Sequence, residues 1–165
     1  MQDPFPKSEQ IHPRGHIMRV VAVNISEKKG TRKHSCPEVT LIANHGIKGD
    51  SHADGTHRQL SLLGQEDIDF MRTLGADVKP GDFAENITTE GVELSSYPIG
   101  TRFRIGKDIL LELTQIGKTC HQGCEIRNLV GTCIMPKKGI FCRILSGGVV
   151  RPGDSFEVLG SEEGK

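Results

Sequence analysis

Short stretches of alternating or continuous apolar residues recur along the chain from Val21 onwards, with glycine- and proline-containing turns between them. In the first stretch, Val21, Val23 and Ile25 alternate with Ala22 and Asn24. Because successive side chains of a strand point to opposite faces, this alternation predicts a β-strand. Similar patterns predict strands at 39–42, 59–63, 83–88, 140–145 and 155–159.

The clearest strand pair consists of 101–105 and 109–113, which flank the turn Gly106-Lys107-Asp108 and predict a β-hairpin. With this hairpin, the chain has roughly seven to nine short predicted strands. A closed or nearly closed barrel buries such strands and leaves few unpaired edges. The sequence therefore predicts a mostly β, barrel-like fold.

The best helical pattern covers residues 65–74. Ile68, Met71 and Leu74 repeat there at a spacing of three, which gives one apolar stripe along a predicted α-helix. A second, short helix is predicted at 125–130. The expected fold thus has one or two short helices beside its strands.

The folded domain is predicted to span 18–160. Residues 1–17 are polar, contain prolines and lack periodicity, so we interpret them as a vector-derived or disordered leader. Residues 161–165 are expected to form a flexible tail.

Charge and cysteine content narrow the class of protein. The 21 basic and 21 acidic residues cancel, so no overall field attracts nucleic acid or a membrane, and we expect neither as a partner. We find no membrane-spanning apolar run and no secretory signal. The five cysteines are scattered, which favours free thiols in a reducing cytoplasm. Cys142 is interpreted as a core residue and Cys36 as an incidental loop residue.

Cys120 is the first candidate for chemistry. It follows a predicted strand, Lys118 lies two residues before it and His121 directly after it. Nearby cations stabilise the thiolate, which is the form of cysteine that attacks or ligates a metal. Because loops at strand ends often carry functional sites, Cys120 is predicted to attack, to carry a group or to bind a metal.

Other interpretations of Cys120 stay open from the residues alone. Free cysteines are often buried and structural. Cys120, His121, Cys124 and Cys133 could bind zinc, although their spacing is a poor zinc pattern. Cys124 could also form a disulfide with an oxidised Cys120.

A polar loop, Gly49-Asp50-Ser51-His52, is the second candidate, together with Arg58. Gly-Asp pairs recur at 81–82 and 153–154, and such pairs suit turns, since glycine permits positive φ and aspartate caps turns. We interpret 153–154 as a plain turn, whereas the neighbours of 49–50 and 81–82 favour a functional role. The functional interpretation is an anion-binding rim, in which backbone N–H groups and the Arg58 guanidinium hold a phosphate.

Glu85 and Asn86 are the third candidate. Strands are depleted in both residue types, and here they adjoin apolar neighbours. They could lie on an exposed strand face. Alternatively, a carboxylate beside an amide could recognise a heterocycle that presents both donors and acceptors, such as a pterin.

Several separated segments together resemble the MOSC domain family, whose members are similar to the C-terminal part of molybdenum cofactor sulfurase. The resemblance covers about 18–159. It is carried by GIKGDSH at 46–52, QLSLL at 59–63, GDFAENITTEG at 81–91, IGTRFRIG at 99–106 and the stretch around Cys120.

The resemblance implies a barrel-like β fold and binding of the molybdenum cofactor, a molybdenum held by the dithiolene of a phosphorylated pterin. Cys120 looks like the family's signature cysteine, which carries sulfur or ligates molybdenum. Gly49, Asp50 and His52 resemble its glycine–aspartate–histidine motif, and Glu85 with Asn86 its glutamate–asparagine motif. Thr119 departs from the proline that many members have before the cysteine.

Three functions follow from the resemblance. The protein could carry sulfur on Cys120, supplied by a separate cysteine desulfurase, because the pyridoxal-phosphate part of the full sulfurase is absent from this chain. It could instead be a small molybdoenzyme that reduces N-hydroxylated compounds with a reductase partner, Cys120 being the molybdenum ligand. A non-catalytic cofactor carrier is the third possibility.

Overall fold

The computed structural model describes residues 18–28, 32–50, 56–117 and 134–161, and strands are the commonest regular structure in it, at 45%. Helix α1 covers Gln65–Thr73, helix α2 covers Met135–Lys138, and a 3-10 turn lies at Leu94–Ser96. The strands are β1 Arg19–Ile25, β2 His34–Cys36, β3 Val39–Ile42, β4 Gly46–Ile47, β5 Leu60–Gly64, β6 Ile87–Glu90, β7 Thr101–Ile105, β8 Ile109–Ile116, β9 Ile140–Ser146, β10 Gly148–Val150 and β11 Phe156–Ser161.

Eight of these strands form one sheet in the order β11-β7-β8-β9-β5-β6-β1-β2. Its neighbours are antiparallel except β5 and β6, which run parallel and are connected through α1. A parallel pair needs such a crossover, because a tight hairpin can join only antiparallel strands. The other three strands form a small antiparallel sheet in the order β10-β3-β4.

The large sheet curls until its edge strand β11 meets the start of β1. The Val20 N–H donates to the Asp154 carbonyl at 2.9 Å, and the Gly153 N–H donates to the Val20 carbonyl at 2.8 Å. The Phe156 N–H donates to the Met18 carbonyl at 3.2 Å. These bonds give the eight strands the shape of a curled half-barrel, which confirms the predicted mostly β, barrel-like fold.

Two hydrophobic clusters stabilise this arrangement. The larger lies on the inner side of the curled sheet and includes Leu62, Phe103 and Leu111, each fully buried. The smaller packs Ile68 and Met71 of α1 against the outer side of β5 and β9 through residues such as Leu63 and Phe141. Burying one such aliphatic side chain contributes about 2 kcal/mol.

Most predicted elements are confirmed, with one correction. The hairpin, the helix and the strands at 21–25, 39–42, 59–63, 140–145 and 155–159 are present with small shifts of their ends. The strand predicted at 83–88 is wrong in its first half, because Gly81 at φ +94° and Ala84 at φ +63° turn the chain there and β6 begins only at Ile87. Leu74 ends α1 outside the buried stripe, with 38% of its surface exposed.

Several short elements lack a sequence signal: β2, β4, β10 and α2 have two to four residues each. The helix predicted at 125–130 lies outside the described residues, as do the predicted leader and most of the predicted tail. The predicted domain limits therefore stay a prediction. In the part of the chain that the structure describes, no helix is long and apolar enough to span a membrane.

Candidate functional site

Asp50 ends the turn after β4 and is held in the interior by Lys33. Lys33 Nζ lies 2.7 Å from Asp50 Oδ1, and both side chains are 1% exposed. The Ser26 N–H donates to the same oxygen at 3.0 Å. Burial by itself raises the pKa of the Asp50 carboxyl, but Lys33, the Ser26 N–H and the Asn86 amide together hold that pKa below its usual value. The Asp50 carboxylate is therefore charged at neutral pH.

Asn86 extends this network and uses its whole hydrogen-bonding capacity inside the protein. Its amide nitrogen donates to Asp50 Oδ2 and to the Asn24 carbonyl, both at 3.3 Å. Its amide oxygen accepts from the Ser61 N–H at 3.0 Å and from the Ser61 hydroxyl at 3.1 Å. An asparagine amide offers two donors and two acceptor sites, and all four are occupied here.

Glu85 is fully buried next to Asn86. The Thr88 hydroxyl donates to Glu85 Oε2 at 2.8 Å, and the Phe83 N–H donates to Oε1 at 3.3 Å. Burial raises the pKa of the Glu85 carboxyl to about 7, although these donors act in the opposite direction. Near neutral pH the carboxyl therefore exists in both protonation states.

A second group of polar residues lies where β8 ends and β5 begins. His57 Nε2 lies 2.8 Å from Gln115 Oε1, and the Gln115 amide nitrogen donates to the Gly117 carbonyl at 2.8 Å. The exposed Arg58 guanidinium lies over the Phe141 ring, 5.7 Å from its centre. An exposed cation held over an aromatic face is available to an anionic ligand.

The structure therefore brings together some of the predicted site residues. Gly49, Asp50, Glu85 and Asn86 belong to one network, in which Gly49 has φ +85° and forms the turn. Arg58 lies three residues before Ser61, the partner of Asn86, and three residues of extended chain span about 11 Å at most. Cys120, Cys124, Cys133, His121 and His52 lie outside the described residues.

The remaining cysteine predictions can be compared directly with the structure. Cys142 is fully buried in β9, as predicted for a core residue. Cys36 lies half-buried in strand β2, so its placement in a loop was wrong. Within the described ranges, no three histidine, cysteine or acidic side chains converge as a metal site would require.

Sequence reasoning missed Lys33 and Ser26. Both belong to what reads as an irregular polar stretch before β2, and nothing about a single lysine there indicates burial. The weak signal that could have found Lys33 is the requirement that a buried carboxylate, such as Asp50, be paired with a cation.

Comparison with protein-family models gives a match to the MOSC domain over residues 49–157. The matched region includes Asp50, Arg58, Glu85, Asn86 and Cys120. Comparison of the sequence with curated proteins gave no match.

Solved structures with the same fold include three bacterial proteins. The YuaD protein from Bacillus subtilis has a TM-score of 0.73 at 20% identity, over 88% of this chain and 97% of that chain. YiiM from Geobacillus stearothermophilus has a TM-score of 0.63 at 19% identity, over 86% of this chain and 75% of that chain. YiiM from Escherichia coli has a TM-score of 0.58 at 20% identity, over 86% of this chain and 69% of that chain. The family model covers well over half of the sequence, and the chain therefore belongs to the MOSC domain family, a family associated with the molybdenum cofactor.

Proposed function

We propose that this MOSC protein binds the molybdenum cofactor and carries sulfur on Cys120. The Cys120 thiolate attacks the terminal sulfur of a persulfide on a separate cysteine desulfurase. The S–S bond of the donor breaks, the donor leaves as a thiolate, and Cys120 becomes a persulfide, so sulfur moves without net oxidation or reduction. The cofactor would accept that sulfur and would hence be a substrate of the protein. For delivery, a thiol reductant would attack the inner sulfur of the Cys120 persulfide, so that the outer sulfur leaves as sulfide and the thiol forms a disulfide with Cys120.

The observation that carries this proposal is the chain of contacts from His57 through Gln115 to Gly117. His57 follows His52 by five residues in the sequence, and Gly117 precedes Cys120 by three residues. The contacts hold His57 near Gly117. This closeness supports the proposal that the motifs of His52 and Cys120 serve one site, to which Arg58 adds an exposed cation.

The described residues fit the cofactor unequally. An added Cβ at Gly49 would meet no described atom within 4 Å, so a ligand can approach the backbone there. Arg58 offers the forked donor that suits the phosphate. Asp50, Glu85 and Asn86, in contrast, direct their side chains into the protein. Recognition of the pterin by Glu85 and Asn86 stays a prediction, and it requires both side chains to give up internal hydrogen bonds.

When bound, the cofactor supplies a molybdenum centre that accepts sulfur. The tasks left to this chain are to hold the phosphate with Arg58 and the Gly49 turn, to keep that turn in place through Asp50, and to present a deprotonated thiol at Cys120. Cationic surroundings favour the thiolate. Lys118 and His121 are the neighbours in sequence that can supply them, and we propose that His52 and Arg58 add to them from the other motif.

The test is sulfur loading by a cysteine desulfurase, measured as cyanide-labile sulfur and as a mass increase of one sulfur atom. Cys120→Ser should abolish loading, whereas the matched control Cys36→Ser in β2 should keep it. Labile sulfur that persists on Cys120→Ser would contradict the carrier proposal.

The same preparations separate the carrier from the enzyme. Protein from a host that makes the cofactor is analysed for molybdenum and assayed with N-hydroxylated compounds and a reductase. If the protein holds stoichiometric molybdenum that is lost in Cys120→Ser, and if it turns over these compounds, the protein is a molybdoenzyme and the carrier proposal is wrong. Cofactor binding that survives Cys120→Ser, without sulfur loading of the wild type, would indicate a non-catalytic carrier.

Arg58 provides an independent test of the phosphate role. Arg58→Gln should weaken cofactor binding by about tenfold, since a charge-assisted contact is lost. Arg104→Gln, which removes an exposed arginine from the outer face of β7, should leave binding unchanged. Equal affinity in the two variants would exclude Arg58 from the phosphate site.

A further inference from the structure

The adjacent basic residues Arg32 and Lys33 each contact the aspartate of a different Gly-Asp turn. Lys33 Nζ lies 2.7 Å from Asp50 Oδ1, and Arg32 Nη1 lies 3.4 Å from Asp82 Oδ2. The backbone N–H of Lys33 also donates to the Gly81 carbonyl at 2.9 Å. One dipeptide therefore joins two turns that are far apart in the sequence.

Lys33 contacts the Gly81 turn very closely. A Cβ added to Gly81 would lie 2.4 Å from the Lys33 carbonyl oxygen, so only glycine permits this approach. Lys33 thus touches one turn through its backbone and the other through its side chain. Its geometry fixes the separation between the Asp50 turn and the segment that leads to Glu85.

Removal of Arg32 and removal of Lys33 leave their aspartate partners in different surroundings. The Arg32 side chain is 38% exposed, and its partner Asp82 also accepts from the Lys79 N–H at 3.0 Å and from Lys79 Nζ at 3.2 Å. Lys33 and Asp50 are both buried, so removal of Lys33 deprives a buried carboxylate of a cation 2.7 Å away. Breaking such a pair is costly, whereas replacing both members by neutral groups is often tolerated.

We propose that Lys33 is a positioning residue of the cofactor site, whose buried ammonium and backbone N–H hold the 46–50 loop and the 81–86 turn at one separation. This inference rests on the proposed function, because these two segments carry Gly49, Asp50, Glu85 and Asn86. Lys33 acts through Asp50 and Gly81 and does not itself contact the ligand.

The experiment compares three variants: Lys33→Met, the double variant Lys33→Met/Asp50→Asn, and the control Arg32→Met. Three measurements are made on each: the melting temperature, the Kd for the molybdenum cofactor by equilibrium dialysis with molybdenum quantification, and hydrogen exchange of peptides that cover 46–50 and 81–86. The double variant decides the outcome if Lys33→Met does not fold.

The double variant should melt within a few degrees of the wild type, because it leaves no unpaired charge. Its Kd should nevertheless rise by about tenfold to a hundredfold, since a small displacement of a binding loop costs that much. Arg32→Met should bind within about twofold of the wild type. A double variant that binds as well as the wild type, or an Arg32→Met that loses as much, would overturn the positioning role.

Failure of the proposed function has a different signature. If the wild type does not bind the cofactor, the proposed function fails. Hydrogen exchange is then the only measurement that tests whether Lys33 positions the two segments. Faster exchange in both peptides of the double variant, without change in Arg32→Met, would support the positioning role. Unchanged exchange in the double variant would overturn it.

Discussion

Ser61 and Asn86 are joined by four hydrogen bonds. The Asn86 N–H donates to the Ser61 carbonyl at 2.9 Å and to the Ser61 hydroxyl at 3.0 Å, and the Asn86 side-chain oxygen accepts from the Ser61 N–H and hydroxyl. The parallel pairing of β5 and β6 begins one residue later, between Leu62 and Ile87. The Ser61–Asn86 contact therefore fixes the register of these strands and links it to Asp50.

Replacing Asn86 by Ala should lower the free energy of unfolding by about 3 kcal/mol, because several buried donors and acceptors lose their partner at once. Ser61→Ala should cost less, about 1 kcal/mol, since it removes one hydroxyl and leaves the backbone contacts. Chemical denaturation of both variants measures the difference. An Asn86→Ala protein as stable as the wild type would show that this contact does not hold the two strands.

Gly81 and Gly153 form a matched pair. Each precedes an aspartate in a turn, and their φ angles are +94° and +95°. A Cβ at Gly81 would lie 2.4 Å from the Lys33 carbonyl oxygen, whereas a Cβ at Gly153 would meet no described atom within 4 Å. The two sites therefore share backbone strain and differ in close contact.

Gly153→Ala should cost about 1 kcal/mol from backbone strain alone. Gly81→Ala should cost about 2 kcal/mol more, because Lys33 and its contact with Asp50 must shift. Thermal unfolding of the two single variants is sufficient to test this. Equal losses at the two sites would mean that the Gly81 turn moves away from Lys33 without penalty.

Glu85 makes stability depend on pH in a predictable direction. Burial raises its pKa to about 7 in the folded protein, above the value of about 4.3 expected in the unfolded chain. The folded state therefore binds the proton more tightly, and the contribution of this group to stability falls as the pH rises from about 4.3 to 7. Between pH 5 and pH 8 the loss is about 2 kcal/mol.

Glu85→Gln should remove that part of the pH dependence, as measured by urea unfolding at pH 5 and pH 8. Burial also raises the pKa of Asp67 to about 7, so some decline with pH should remain in the variant. Asp50 has a lowered pKa and loses its contribution only in more acidic solution. A variant whose stability falls with pH as steeply as that of the wild type would contradict the assignment to Glu85.

Cys142 should resist alkylation in the folded protein. Its thiol is fully buried, and burial together with the nearby Glu112 carboxylate raises its pKa well above the usual value. Iodoacetamide at pH 8 followed by peptide mass spectrometry should leave Cys142 unmodified until denaturant is added. The half-buried Cys36, whose pKa burial also raises, should react slowly, and rapid labelling of Cys142 in native protein would be inconsistent with the packing of β9.

Local sequence patterns were sufficient to predict those helices and strands that bury one face. The hairpin of β7 and β8 and the helix α1 follow from alternation and from helical spacing, because burial imposes a period on the sequence. The segment 83–88 reads as a strand by the same rule, but a positive φ at Ala84 turns the chain before β6 starts. That conformation depends on the contacts with Lys33 and Ser61, which no local pattern records.

The sequence alone determined that this chain is a mostly β member of the MOSC family. The alternation of apolar and polar residues and the fixed order of several motifs can both be recognised without coordinates. The tertiary structure decided what Asp50, Glu85 and Asn86 do with their side chains. Their identity offers ionic and hydrogen-bonding groups, but burial beside Lys33, Thr88 and Ser61 directs those groups inward. Partner choice among buried polar groups depends on long-range packing, since each group must find its partner where the folded backbone places one.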